Sequence, residues 1–122
     1  MLIGHIGKLV KLGIGILNTH SNHGDGRMET LITCALEAGA SLALLHQIRE
    51  CISTDAALEC LREAHLLDKT VSLLSERIQA TLQRHIAAHL EIGFVCFCGT
   101  GDKAALCIQN HAAEKLREVF AR

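Results

Sequence analysis

Apolar residues recur at helical spacing through most of the chain. Met28, Leu31, Ile32 and Ala35 share one face of a segment that Asp25 can cap, which predicts a helix over residues 26–38 with Gly39 in the stop position. Leu42, Leu45 and Ile48 mark one side of a second helix over 40–51. Ser53-Thr54-Asp55 is an N-terminal signal for a third over 55–64. Asp68 opens a longer helix over 69–89, striped by Val71, Leu74, Ile78, Leu82 and Ile86. The period then changes. Residues 91–98, EIGFVCFC, are apolar on both alternating faces, as in a covered strand. Gly99-Thr100-Gly101-Asp102 signals a turn, residues 104–109 return as the second strand of a hairpin, and a helix over 111–121 follows. At the other end, residues 2–4 read as a strand end and Gly4-His5-Ile6-Gly7 as a turn. A short helix over 8–16 is weakened by Gly13 and Gly15, by about 1 kcal/mol each. The fold class is helix-rich α/β, a three-layer-like domain with a small, incomplete sheet (a short N-terminal strand plus a C-terminal hairpin) and five to six helices.

Composition narrows the function classes. The 122 residues are enough for one domain with a real core, and a 49% hydrophobic content excludes disorder. A formal net charge of −1, with no long basic block, gives a nucleic-acid role little electrostatic support. No apolar run reaches the roughly 18 residues that span a bilayer, and no signal peptide is evident, so a cytoplasmic location is expected. The opening Met1-Leu2-Ile3-Gly4 is apolar from its first residue, where termini are usually polar. We expect a strand begun upstream and a chain that is a piece of a longer protein. An incomplete sheet leaves an edge and an apolar face open, which predicts a homo-oligomer. The six cysteines, Cys34, Cys51, Cys60, Cys96, Cys98 and Cys107, are expected as thiols in a reducing compartment.

Candidate chemistry concentrates near the N-terminus. Gly4-His5-Ile6-Gly7-Lys8 follows a strand directly, where open α/β sheets place ligand-binding turns. Glycines let a ligand approach the backbone, and Lys8 suits an anion; an ordinary tight turn with a solvated lysine is the plainer alternative. It is not a P-loop, because Leu9 follows the lysine. Lys8 and Lys11 share a helix face and would repel unless an anion lies between them. In Asn18-Thr19-His20-Ser21, His20 suits a general base near neutral pH, with Asn18, Thr19 and Ser21 orienting a substrate or else capping a turn. Asp25, Arg27 and Glu29 form an ion-pair frame or decorate a first helical turn. Three loose metal-like patterns remain: His20-x-x-His23 with Asp25, the pair His85 and His89, and Cys96-x-Cys98 with Cys107 and His111. None is complete enough to assign a protein metal site.

Residues 2–29, LIGHIGKLVKLGIGILNTHSNHGDGRME, resemble the signature of the cobalt-precorrin-5B C1-methyltransferase family of anaerobic cobalamin biosynthesis. The matching blocks are Gly4-His5-Ile6-Gly7-Lys8-Leu9, Lys11, Asn18-Thr19-His20-Ser21 and Asp25-x-Arg27-x-Glu29. The family tends to have alanines where this chain has Gly13 and Gly24, and extra glycine is expected to loosen the region. The resemblance implies S-adenosylmethionine as methyl donor, a cobalt-bound, carboxylate-rich macrocycle as acceptor, and an N-terminal domain as partner. It casts Lys8, Lys11 and Arg27 as carboxylate partners and places His5 and Gly7 near donor or macrocycle. His20 would position or deprotonate the acceptor, and Asp25 and Glu29 would brace Arg27. The rival from another class is a small non-enzymatic interaction module, with zinc at Cys96, Cys98, Cys107 and His111.

Overall fold

A computed structural model describes residues 2–15, 26–85, 92–99 and 105–120. In chain order the elements are β1 (Leu2–His5), α1 (Ile6–Leu9), a 3-10 segment η1 (Val10–Ile14), α2 (Arg27–Glu37), α3 (Leu42–Arg49), α4 (Thr54–Glu63), α5 (Leu67–Arg84), β2 (Phe94–Cys98), β3 (Ala105–Gln109) and α6 (His111–Phe120). The helix-rich α/β class, with its N-terminal strand and C-terminal hairpin, is as expected.

The helix starts and stops have local causes. Ser41 and Ser53 cap α3 and α4, their hydroxyls accepting the backbone N–H of Leu44 at 3.2 Å and Ala56 at 3.1 Å. α2 starts from Gly26 in the left-handed region (φ 72°), one residue after Asp25, so the cap predicted at Asp25 is displaced. α2 ends in a Schellman motif. Gly39 (φ 95°) sends its N–H to the Leu36 carbonyl, and Ala40 reaches back to Ala35. α4 ends the same way through His65 (φ 59°), with Leu66 reaching back to Leu61. A histidine in that conformation costs more than glycine would, because its Cβ crowds the following carbonyl.

The stripes bury as their spacing predicts, with two adjustments. Leu74, Ile78 and Leu82 of α5 are buried against Leu31, Cys34 and Ala35 of α2 and Leu58 and Leu61 of α4 in one core. Burying each such side chain is worth about 1.5–3 kcal/mol. Leu42, expected on the inner side of α3, is 71% exposed; Leu44 takes the buried place, because α3 starts at Leu42 and its inward face is Leu44 and Ile48. α5 stops at Arg84, short of the predicted end, with His85 as its exposed C-cap residue; Ile86 and His89 lie outside the described residues.

The sheet has the order β1-β2-β3. β1 runs parallel to β2, pairing Leu2 with Phe94 and His5 with Phe97, and β3 returns antiparallel with an irregularity between Cys96 and Phe97. Phe94, Cys96 and Ile108 turn inward to the helices. The other face carries Ile3 (64% exposed), Leu106 (52% exposed) and the half-buried Val95 and Phe97.

Gly13 proves to be a packing requirement and not a source of looseness. A Cβ there would lie 2.7 Å from Cγ2 of Thr30 and 2.9 Å from Cδ1 of Leu74. Thr30 cannot easily turn away, since its hydroxyl donates to the Gly26 carbonyl at 2.7 Å. Overpacking of this kind costs about 1–3 kcal/mol. That outweighs the roughly 0.5–1 kcal/mol that alanine would recover in backbone entropy. η1 is therefore pinned between α2 and α5, and Thr81 of α5 donates its hydroxyl to the Leu12 carbonyl to complete the clamp.

Candidate functional site

The turn after β1 is built by its own histidine. His5 caps α1, its Nδ1 accepting the Gly7 N–H at 2.9 Å. Gly7 is needed because a Cβ would lie 3.1 Å from that Nδ1 and 3.3 Å from Oγ1 of Thr54. The bond has a chemical consequence. With Nδ1 occupied as an acceptor, the proton of the neutral ring resides on Nε2. Nε2 is buried without a hydrogen-bond partner, 3.8 Å from Oδ2 of Asp55. Asp55 is itself tied to the hairpin, its Oδ1 accepting the Gly99 N–H at 3.1 Å. The edge of Phe97 closes the far side of the ring, with centroids 5.3 Å apart. His5 thus has Nε2 left as its hydrogen-bond donor.

This turn forms one wall of a cleft of about 270 Å³ lined by His5, Gly7, Lys8, Lys11, Arg27, Ser53, Thr54 and Asp55. Among the described residues three cationic side chains and one carboxylate line it. Lys8 is exposed, whereas Lys11 is buried at 1% exposure, so the pair that the sequence places on one face divides into a solvated and a desolvated cation. Arg27 enters from the first turn of α2, immediately after the segment that carries Asn18, Thr19, His20, Ser21 and Asp25. Those five residues, and His23, lie outside the described residues.

Two predicted site residues stand apart from the cleft. Gly4 is in β1, where a Cβ would lie 3.1 Å from Cγ of Leu9, so its smallness serves packing. Glu29 is exposed on α2, and its backbone carbonyl accepts the Thr33 hydroxyl. Conversely, Ser53, Thr54 and Asp55 line the cleft although the sequence shows them only as a helix start. A cap signal absorbs all three, and nothing local reveals that the start of α4 faces the β1 turn.

A roomier cleft of about 710 Å³ lies between α5 and the start of α6, lined by Gln79, Gln83, Gln109 and Asn110 among others. Of the residues singled out from sequence it holds His111 of the rival zinc set, and among the described residues no Lys or Arg lines it. The smaller cleft is the one with charge for an anionic ligand. Among the described residues no three His, Cys, Asp or Glu side chains come together as a metal site. Cys96 faces the core, and burial pushes its thiol up to about 12. His111 is exposed and pairs with Glu114 at 3.6 Å. No helix is long and apolar enough to cross a membrane among the described residues.

Residues 18–107 match the family profile described as CbiD, C-terminal domain. The chain belongs to the CbiD family. This CbiD-family chain is 49% identical over 78 residues to the cobalt-precorrin-5B C(1)-methyltransferase of Photorhabdus laumondii, covering 64% of the chain and 20% of that protein. Over 91 residues it is 36% identical to the protein of that name from Gloeobacter violaceus, covering 75% of the chain and 26% of the relative. Over 120 residues it is 35% identical to that of Alkaliphilus metalliredigens, covering 98% of the chain and 31% of the relative. That last alignment leaves out at most two residues, so it includes the turn around Gly7. The chain therefore spans between a fifth and a third of the length of these CbiD relatives. No solved structure matches it.

Proposed function

We propose that this chain is a single domain, the C-terminal part of a cytoplasmic enzyme that methylates C1 of cobalt-precorrin-5B. Its 270 Å³ cleft would grip carboxylate arms of the corrinoid. The observation that carries the reading is the convergence of His5, Lys8, Lys11 and Arg27, from four successive elements, on one cleft. The cleft is below the roughly 300–1,000 Å³ of pockets that enclose a whole small molecule. It suits peripheral carboxylates and leaves the ring outside. Arg27 and the lysines would supply charge-assisted hydrogen bonds, and the Nε2 proton of His5 is a further donor beside them.

S-adenosylmethionine would supply an electrophilic methyl group on its sulfonium. The contribution of this chain is to fix the acceptor carbon relative to that methyl. Such positioning is worth several kcal/mol and needs no covalent nucleophile. Within the same reading, His20 positions or deprotonates the acceptor, Asn18, Thr19 and Ser21 orient it, and Asp25 braces Arg27, while the exposed Glu29 loses the bracing role expected of it.

The test is a visible-absorbance titration of the chain with a cobalt corrinoid bearing free carboxylates. The same macrocycle with its carboxylates amidated serves as the control. Wild-type chain should prefer the free acid, and the double substitution Lys8→Ala, Arg27→Ala should abolish that preference. Equal affinity for the two corrinoids would refute the assignment.

The sheet face of Ile3, Val95, Phe97 and Leu106 supports the expected contacts with other polypeptide. Parallel pairs such as β1–β2 are normally covered on both faces. In the longer enzyme we assign this face to the N-terminal domain. When the chain is alone, we expect it to pair with a second copy through the same face. Sedimentation should show wild type associating as concentration rises and Leu106→Glu remaining monomeric. A wild type that stays monomeric at high concentration would remove this interface.

A further inference from the structure

Cys51 and Cys60 are close in space. Cys51 lies in the connection after α3, Cys60 in the middle of α4, and their sulfurs are 3.9 Å apart. Both residues are partly buried, whereas Cys34 and Cys96 are sealed in the core at 0% exposure. Cys51 donates its thiol hydrogen to the Gln47 carbonyl at 3.2 Å, which holds the side chain against α3. Cys60 borders a surface cleft of about 480 Å³ lined also by Ser41, Gln47 and Glu63. The two sulfurs thus lie side by side near the surface, with Cys60 also bordering that cleft.

We propose that Cys51 and Cys60 form a reversible disulfide, a modification site whose partner reagent is a small-molecule disulfide. The sulfurs must approach from 3.9 Å to about 2.0 Å, which a side-chain rotation on the non-helical Cys51 can provide. The exchange balances as follows. The Cys60 thiolate attacks one sulfur of the reagent disulfide and releases one reagent thiolate, leaving a mixed disulfide on Cys60. The Cys51 thiolate then attacks the Cys60 sulfur and displaces the second reagent thiolate. Two protein thiols lose two electrons, the reagent gains them, and the two protons pass to the released thiolates. Burial, and next the hydrogen bond with Cys60, push the Cys51 thiol up, which suits it to the second, intramolecular step. The loop so closed contains Ser53, Thr54 and Asp55, one wall of the cationic cleft. The redox state of the pair therefore sets how firmly that wall is held. The disulfide itself stands independently of the methyl-transfer reading.

Cleavage after Arg49 and Arg62 releases both cysteines in one tryptic peptide, residues 50–62. The reduced chain is equilibrated with mixtures of oxidised and reduced glutathione, quenched with an alkylating agent and digested. In the folded chain this peptide should be recovered unalkylated and lighter by two hydrogens, at glutathione ratios where the urea-unfolded chain is still fully alkylated. C51S should stop at a glutathione adduct on Cys60, and C60S should give little adduct on Cys51. Closure at the same ratio in folded and unfolded chain would overturn the proposal, because the fold would then contribute nothing. So would a folded wild type that stays alkylated or carries glutathione without closing the loop.

Discussion

Asn110→Ala is expected to lower the unfolding free energy by about 3–5 kcal/mol, a large share of the roughly 5–15 kcal/mol of a domain this size. Asn110 is buried, and its side chain joins three elements. Oδ1 accepts the Phe94 N–H at 2.9 Å and the Ala113 N–H at 3.0 Å. Nδ2 donates to the Ile92 carbonyl at 2.8 Å and to Oε1 of Gln79 on α5. The bond to Ala113 is the N-cap of α6, worth about 1 kcal/mol. Losing the others leaves the buried Phe94 N–H and the partly buried Ile92 carbonyl unpaired, at about 1–3 kcal/mol each.

Asn110→Asp separates the two roles. The carboxylate keeps both accepting bonds and favours the helix N-terminus, but it sets an oxygen against the Ile92 carbonyl. If capping alone matters, the aspartate variant should match wild type in urea unfolding; if the weld to β2 matters, it should fall between wild type and alanine. An alanine variant within about 1 kcal/mol of wild type would show that water replaces all four bonds.

Asn110 also shows where sequence reading stops. It is not singled out by sequence beside the helix expected over 111–121, and its bonds to β2 and α5 cross long stretches of chain. The same boundary runs through the rest of the fold. Ser53 and Gly39 act through neighbours a few residues away, and the Leu74–Leu82 stripe repeats at the helical period, so propensity and period locate them. Leu42 misleads because the apolar spacing on α3 fits two registers. Ser41, whose hydroxyl caps the helix, fixes its start and turns Leu44 inward. Gly13 misleads because the reason for a glycine there lies in Thr30 and Leu74, on other helices.

The candidate site divides in the same way. His5, Gly7, Lys8, Lys11 and Arg27 were legible as residue types and through the family resemblance. Their shared cleft, the donor state of His5, and the wall made by Ser53, Thr54 and Asp55 depend on how α4 packs on the β1 turn. Sequence treats Lys8 and Lys11 as equals three residues apart. The change of helix type between α1 and η1 places one in solvent and the other inside.

That difference gives Lys11→Met the largest expected effect on ligand binding. Methionine keeps the length of the buried stem, and urea unfolding of the variant shows how much of the ammonium's contribution belongs to contacts within the fold. The charge is lost in a desolvated position, where a charge-assisted hydrogen bond to a carboxylate is worth about 1.5–3 kcal/mol. Affinity for the free-carboxylate corrinoid should therefore fall about 10–100-fold, while the amidated control changes little. Lys8→Met should behave differently. An exposed cation contributes at most about 1 kcal/mol, and its share disappears in 1 M salt, where the screening length is about 3 Å. The two variants should thus diverge as salt is added: the Lys8 deficit closes and the Lys11 deficit persists. If both deficits close together, the lysines act only as a diffuse surface field and the cleft does not clamp a carboxylate. If Lys11→Met binds like wild type at every salt concentration, the buried ammonium serves the fold and the carboxylates are held elsewhere.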